Sequence, residues 1–154
     1  MTPKLFGTDG IRSEFGKKPL TTDFIKLIGY AFAKSMFNND SGHVYISHDG
    51  RESSSSIEND LISGISYQGS SYTLLGLFPT PALSASMNQM KKTNTCAIQI
   101  TASHNQYHDN GLKFFDHHGD KINDSIQRQI ENIVYSDSFD IKSIKKHNNT
   151  GKEL

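Results

Sequence analysis

Cysteine is nearly absent from this 154-residue chain: the single Cys96 has no partner for an intramolecular disulfide. It stands inside an apolar run, where a small buried hydrophobe is the plain expectation and a redox role the remote one. Charge of one sign is lacking too. Sixteen basic and sixteen acidic residues cancel, so no global field draws the chain to nucleic acid or an anionic membrane. A small anionic ligand would have to be met by local groups. No window approaches the ~20 consecutive apolar residues of a membrane span. The opening Met1–Phe6 carries no apolar stretch of signal-peptide length. The expectation is a soluble protein of a reducing cytoplasm, in which 154 residues suffice to bury a core without staples.

What is present is periodicity. Phe24, Ile28, Phe32 and Met36 recur four apart and predict a helix over 21–38, with Leu27 and Ala31 beside the stripe. His43–Ser47 reads as a short strand. Ser55–Gln68 reads as a helix with Ile57, Leu61 and Ile65 on one face, a Ser55/Glu58 capping box and Gly69 as its stop. Tyr72–Phe78 is a second strand. Thr80 as N-cap and Pro81 at the first helical position open a third helix, running to about Lys91 and Lys92. Thr95–Ile100 and Leu112–Phe115 are two more strands, and Asn123–Val134 a last helix striped by Ile126, Ile130 and Ile133. Strands alternating with helices predict a three-layer α/β/α sandwich around a mixed four-stranded sheet. Ligands of such sheets gather at the carboxyl ends of strands. The expected domain spans 1–136. The less apolar 137–154 reads as a polar tail or linker.

Two polar loops fall at strand ends. After Ile100 comes Thr101-Ala102-Ser103-His104-Asn105, with Lys113 ten residues beyond the serine. A nucleophile candidate with a proton carrier nearby suggests covalent group transfer, although most loop serines merely cap turns. After Ile46 comes His48-Asp49-Gly50-Arg51. The opening Phe6-Gly7-Thr8-Asp9-Gly10-Ile11-Arg12 adds a tight turn followed by a planar cationic fork suited to phosphate. Read bare, it is as readily a surface turn with a solvated arginine. The histidines His104, His108, His117 and His118 invite a zinc site, but no Glu or Cys completes a helix-borne zinc motif and the segment is rich in Gly and Asn.

These segments, in this order, resemble the first domain of the α-D-phosphohexomutases over roughly residues 5–135. The resemblance implies that Ser103 carries a phosphoryl group and that His104 supports it. It implies that Lys113 moves protons to and from a sugar hydroxyl and that Arg12 faces phosphate. Thr8, Asp9, Arg51, Asn105 and Asn110 would position substrate or phosphate. Arg51 would orient the serine loop by pairing with Asp9 or Asp49, unless that pair is only structural. It also implies Mg2+, attached here through the phosphate of Ser103, and a hexosamine phosphate as substrate, since the opening run and Tyr107–Phe115 look most like the amino-sugar branch. The alternatives are the mannose- or glucose-phosphate branches, or a truncated non-catalytic remnant that binds a partner. Three departures stand out: Ser13 where glycine is usual, Gln106 where proline is usual, and Gly50 where threonine is usual. A fourth is larger. The Asp-rich metal loop and the sugar-recognition loops of the later domains are absent from these residues, so the chain alone is expected to be incomplete for turnover and to need the missing mutase domains in cis or in trans.

Overall fold

A computed structural model describes residues 4–38, 40–101, 109–136, 140–144 and, as backbone only, 152–153. The strands are β1 (Ile11–Glu14), β2 (His43–His48), β3 (Ser71–Leu77), β4 (Thr95–Ile100), β5 (Asp109–Phe115) and β6 (Lys152–Glu153); the helices are α1 (Thr22–Phe37), α2 (Ser54–Gln68), α3 (Thr80–Met90) and α4 (Asp124–Val134). They form one mixed sheet in the order β1-β5-β4-β2-β3-β6. The β2–β3, β2–β4 and β3–β6 pairs are parallel, while β5 runs antiparallel to both β4 and β1. Among the described residues the sheet therefore has six strands rather than the expected four. β1 escapes the sequence because Ile-Arg-Ser-Glu shows one buried apolar residue and no alternation. β6 is only two residues long.

Alternation along the strands sorts side chains onto two faces. Val44, Ile46, Cys96, Ile98, Leu112 and Phe114 join α1, α2 and α4 in the larger core. Tyr45, Ala97 and Phe115 turn to the other face and pack with Leu83 and Met87 of α3. The predicted stripe of α1 is buried at Phe24, Ile28 and Phe32. Cys96 is fully buried, and desolvation pushes its thiol pKa well up, which keeps it protonated. Beyond Ser136, Ile144 is buried and Ile141 packs on the larger core.

Helix ends correct two local expectations. The N-cap of α2 is Ser53, whose side chain makes no capping bond. Glu58 is instead buried, with its Oε1 3.6 Å from His48 Nε2, so no capping box forms. Pro79, not Thr80, is the N-cap of α3, because its extended backbone (ψ 144°) leaves Thr80 already helical. Asn123 caps α4, its side chain accepting from the Ile126 N–H. Gly69 ends α2 in the left-handed region, as expected.

At the amino ends of the parallel strands, His43 is held by two hydroxyls: its Nδ1 lies 2.6 Å from Ser71 Oγ and its Nε2 2.6 Å from Thr73 Oγ1. Desolvation, and then nearby Lys92, lower its pKa from the ordinary value of 6.5. With the folded pKa below the unfolded one, the unfolded chain binds the proton first as pH falls. This contribution to stability is present above the unfolded pKa and is lost as pH drops through the folded one. Urea midpoints measured between about pH 7 and pH 5 should decline more steeply for the wild type than for His43→Gln. Parallel declines would refute the assignment.

Candidate active site

The carboxyl ends of β2 and β4 lie side by side, with His48 in register with Ile100. The residues that follow them meet in one network. Asp49 accepts from Thr101 Oγ1 at 2.7 Å and from Arg51 Nε at 3.0 Å. Arg51 reaches on, donating from Nη1 to the Asp109 carbonyl at 3.0 Å. Thr101 and Asp109 are the residues that flank 102–108. The pair Asp49–Arg51 thus ties together both ends of the segment that carries the serine. The Arg51 side chain is 12% exposed and that of Asp49 26%, so this ion pair is shielded enough to exceed a surface one. Of the two partners expected for Arg51, Asp49 is the one found. Asp9 lies instead 3.8 Å from Arg12, in an exposed pair that contributes little.

Ser103, His104, Asn105 and the expected metal attachment through Ser103 lie outside the described residues. So does His108. The other sequence-predicted residues fall into two groups. Arg12 pairs with Gly111 across the β1–β5 ladder. Its side chain crosses the bare Cα of Gly111 so closely that a methyl there would come within 3.2 Å of Arg12 Cγ. Lys113 stands two residues further along β5, on the face that Phe115 shares with α3, and in register with Gln99 of β4. It is half-buried and lines a cavity of about 220 Å³ with Asp9, Gly10, Thr80 and Lys121. Gly10 is required at the rim. Its φ is +100°, and a Cβ there would overlap the Leu112 carbonyl. Asn110 belongs elsewhere: it is buried, and its Oδ1 accepts from Ser53 Oγ at 2.9 Å, which braces β5 against the start of α2.

Several residues of the site have no motif to announce them. Gln99 interrupts the apolar β4 and is fully buried. Its Oε1 accepts from Ser47 Oγ, and its Nε2 donates to the Phe78 carbonyl at 2.9 Å. The signal was a polar amide inside a run that otherwise reads as core. Lys121, which donates to the Thr8 carbonyl, reads in sequence as one more solvated charge. Among the described residues no group of three or more His, Cys, Asp or Glu could hold a metal ion. Asp49 is already engaged by Arg51 and Thr101. The described residues do not fit a Mg2+ site. The rings of His117 and His118 lie against each other at a tilt of 40°, centres 3.9 Å apart. No described helix is long and apolar enough to cross a membrane.

Comparison with known proteins places this arrangement. The chain is 41% identical over 128 residues to a phosphoglucosamine mutase of Hamiltonella defensa, covering 83% of this chain and 28% of that protein. It is 40% identical over 134 residues to a phosphoglucosamine mutase of Alcanivorax borkumensis, covering 87% and 30%. The crystal structure of a phosphoglucomutase/phosphomannomutase family protein from Burkholderia thailandensis superposes with a TM-score of 0.68 at 25% identity, over 84% of this chain and 30% of that one. The chain thus spans under a third of the length of these relatives. The family model described as phosphoglucomutase/phosphomannomutase, alpha/beta/alpha domain I, matches residues 3–140. With that match running through β1 to β5, both polar loops and α4, the chain belongs to the phosphoglucomutase/phosphomannomutase family as its α/β/α domain I.

Proposed function

We propose that this chain is the serine-bearing domain of a phosphoglucosamine mutase, interconverting glucosamine 6-phosphate and glucosamine 1-phosphate together with further domains supplied in cis or in trans. The observation that carries this reading is the double tie of Asp49 and Arg51 to Thr101 and Asp109. It fixes both ends of the Ser103 segment at the carboxyl edge of the sheet. Arg12 and Lys113 stand beside it on neighbouring strands. The amino sugar is favoured over mannose or glucose by the names of the relatives from Hamiltonella defensa and Alcanivorax borkumensis.

In the proposed reaction the sugar hydroxyl oxygen attacks the phosphorus of phosphorylated Ser103. The P–Oγ bond breaks, and Lys113 takes the hydroxyl proton and returns one to Oγ. The bisphosphate turns around. Ser103 Oγ then attacks the other phosphoryl group, losing its proton to Lys113, which protonates the departing sugar oxygen. Such transfer is mostly positioning and charge neutralisation. Arg12 supplies a fork for phosphate, Thr8 and Asp9 shape the turn before it, and His104 and Asn105 support the phosphoserine. The Mg2+ implied by the family would add Lewis-acid charge neutralisation. In this chain Ser103 is its proposed point of attachment, and its remaining ligands would come from another domain. A cytoplasmic setting, where sugar phosphates and reduced thiols coexist, suits this role.

The test is the intact mass of the chain purified without phosphatase, and again after incubation with glucosamine 1,6-bisphosphate. A single phosphoryl group mapped to Ser103 and missing from Ser103→Ala is the expected result. Phosphorylation elsewhere, or labelling that Ser103→Ala retains, would overturn the nucleophile. Turnover by the chain joined to its remaining domains, assayed with each hexose phosphate, decides the sugar.

A further inference from the structure

The turn that carries Thr8, Asp9 and Arg12 is held from three sides, and two of the holders have no assigned role. The strap leading into it is pinned by α4. Glu131 Oε1 accepts from the Leu5 N–H at 2.9 Å and from the Phe6 N–H at 3.2 Å. Both side chains of the strap are buried, and the Phe6 ring meets Phe114 edge-on at 5.6 Å. The tip is pinned by Lys121, whose Nζ donates to the Thr8 carbonyl. Lys121 is itself fixed to β5 by a bridge to Phe115 and by the adjacent Ile122 N–H, which donates to the Phe114 carbonyl at 3.2 Å. The turn closes on itself through the Gly7 N–H and the Gly10 carbonyl at 2.8 Å, and its exit, Arg12, is carried by the β1–β5 ladder.

A carboxylate bonded to two successive backbone N–H groups fixes the direction of a chain as well as its place. Solvent could satisfy those N–H groups equally well, but it would leave the entry angle of the turn free. Three anchors from different elements on so few residues are more than the local fold needs; they over-determine where Thr8, Asp9 and Arg12 point. Lys121 also shares the cavity wall with Asp9 and Lys113, so it sits where a shift of the turn would be felt.

We propose that Glu131 and Lys121 are positioning residues of this mutase domain, Glu131 setting the entry of the Gly7–Arg12 turn and Lys121 its tip. This rests on the reading of Arg12 as a phosphate-facing residue. The test has two arms, amide exchange on this chain and kinetics on the chain joined to its remaining domains. Amide exchange of Leu5–Gly10 should accelerate about tenfold or more in Glu131→Ala and Lys121→Met, with β4 amides unaltered. The maximal rate of phosphoryl acceptance from glucosamine 1,6-bisphosphate, read by intact mass, should fall about tenfold, while the half-saturating donor concentration moves less than about twofold. Glu131→Gln keeps the acceptor oxygen and should restore both. Unchanged exchange in Glu131→Ala overturns the proposal. So does faster exchange with an unchanged maximal rate, or a rate loss that Glu131→Gln leaves in place. If the wild type, joined to its remaining domains, takes up no phosphoryl group, or Ser103→Ala so joined takes it up equally, the underlying reading fails and the catalytic meaning of the anchors fails with it; the exchange arm separates that result from a turn that Glu131 never held.

Discussion

Gly64→Ala is expected to cost this domain about 3 kcal/mol of stability. The helix α2 crosses α1 with backbone almost against backbone. A methyl group at Gly64 would overlap the Lys26 carbonyl and come within 2.6 Å of the Tyr30 amide. The reciprocal position, Gly29, faces the Leu61 carbonyl, where a methyl would come within 2.4 Å. Neither contact offers a flexible side-chain end that could swing away. The helices must separate, and the layer of Ile25, Ile28, Ile57 and Leu61 around the crossing loosens with them. The usual helix-propensity gain of alanine over glycine, about 1 kcal/mol, is already outweighed in that figure. Urea denaturation checks it, with Ser56→Ala on the exposed face of α2 as control. A midpoint for Gly64→Ala within error of that control would show that the helices have room to spare.

The second large effect belongs to Arg51. Arg51→Met deletes the donor to Asp49 and to the Asp109 carbonyl, and it leaves a three-quarters-buried carboxylate with Thr101 as its remaining partner in the clamp. Breaking a shielded pair on one side costs more than the pair itself contributes, so a loss of about 2 kcal/mol is expected. The functional loss should be larger. Phosphoryl acceptance at Ser103 should fall about a hundredfold, since misplacement by about an ångström has that consequence in positioned catalysis. Arg51→Lys is the informative companion. It keeps the charge but lacks the fork that spans Asp49 and Asp109 together, so it should recover stability more than rate. Equal recovery of both by lysine would mean that charge, not the two-point span, is what the site uses.

The sequence foretells the architecture better than the site. The α1 stripe, Gly69 as a stop and the strand over Thr95–Ile100 follow from periodicity and backbone preference, and those same preferences decide the folded state. The capping box fails because Glu58 finds a partner across the chain in His48, which local spacing cannot anticipate. β1 is invisible because β5, nearly a hundred residues away, is what makes it a strand. At the site, Arg12, Arg51 and Lys113 stand out through the family resemblance, yet their company does not. Asn110 stands out through its motif, but its bond to Ser53 does not. Gln99, Lys121 and Glu131 act through carbonyls and amides of distant residues. Backbone partners leave no mark on side-chain patterns, so such roles stay hidden until the chain is folded.

The β1–β5–β4 ladder has a consequence for how a substrate must behave. Arg12, Lys113 and Gln99 are spaced by consecutive peptide hydrogen bonds rather than by side-chain packing. Such a lattice has almost no soft coordinate along which its members can drift apart. In the proposed cycle one bisphosphate presents first one end and then the other to the same residues. If this wall does not yield, the exchange of ends belongs to the sugar alone. It tumbles against a fixed template, and the freedom it needs must be granted by whatever closes the opposite side.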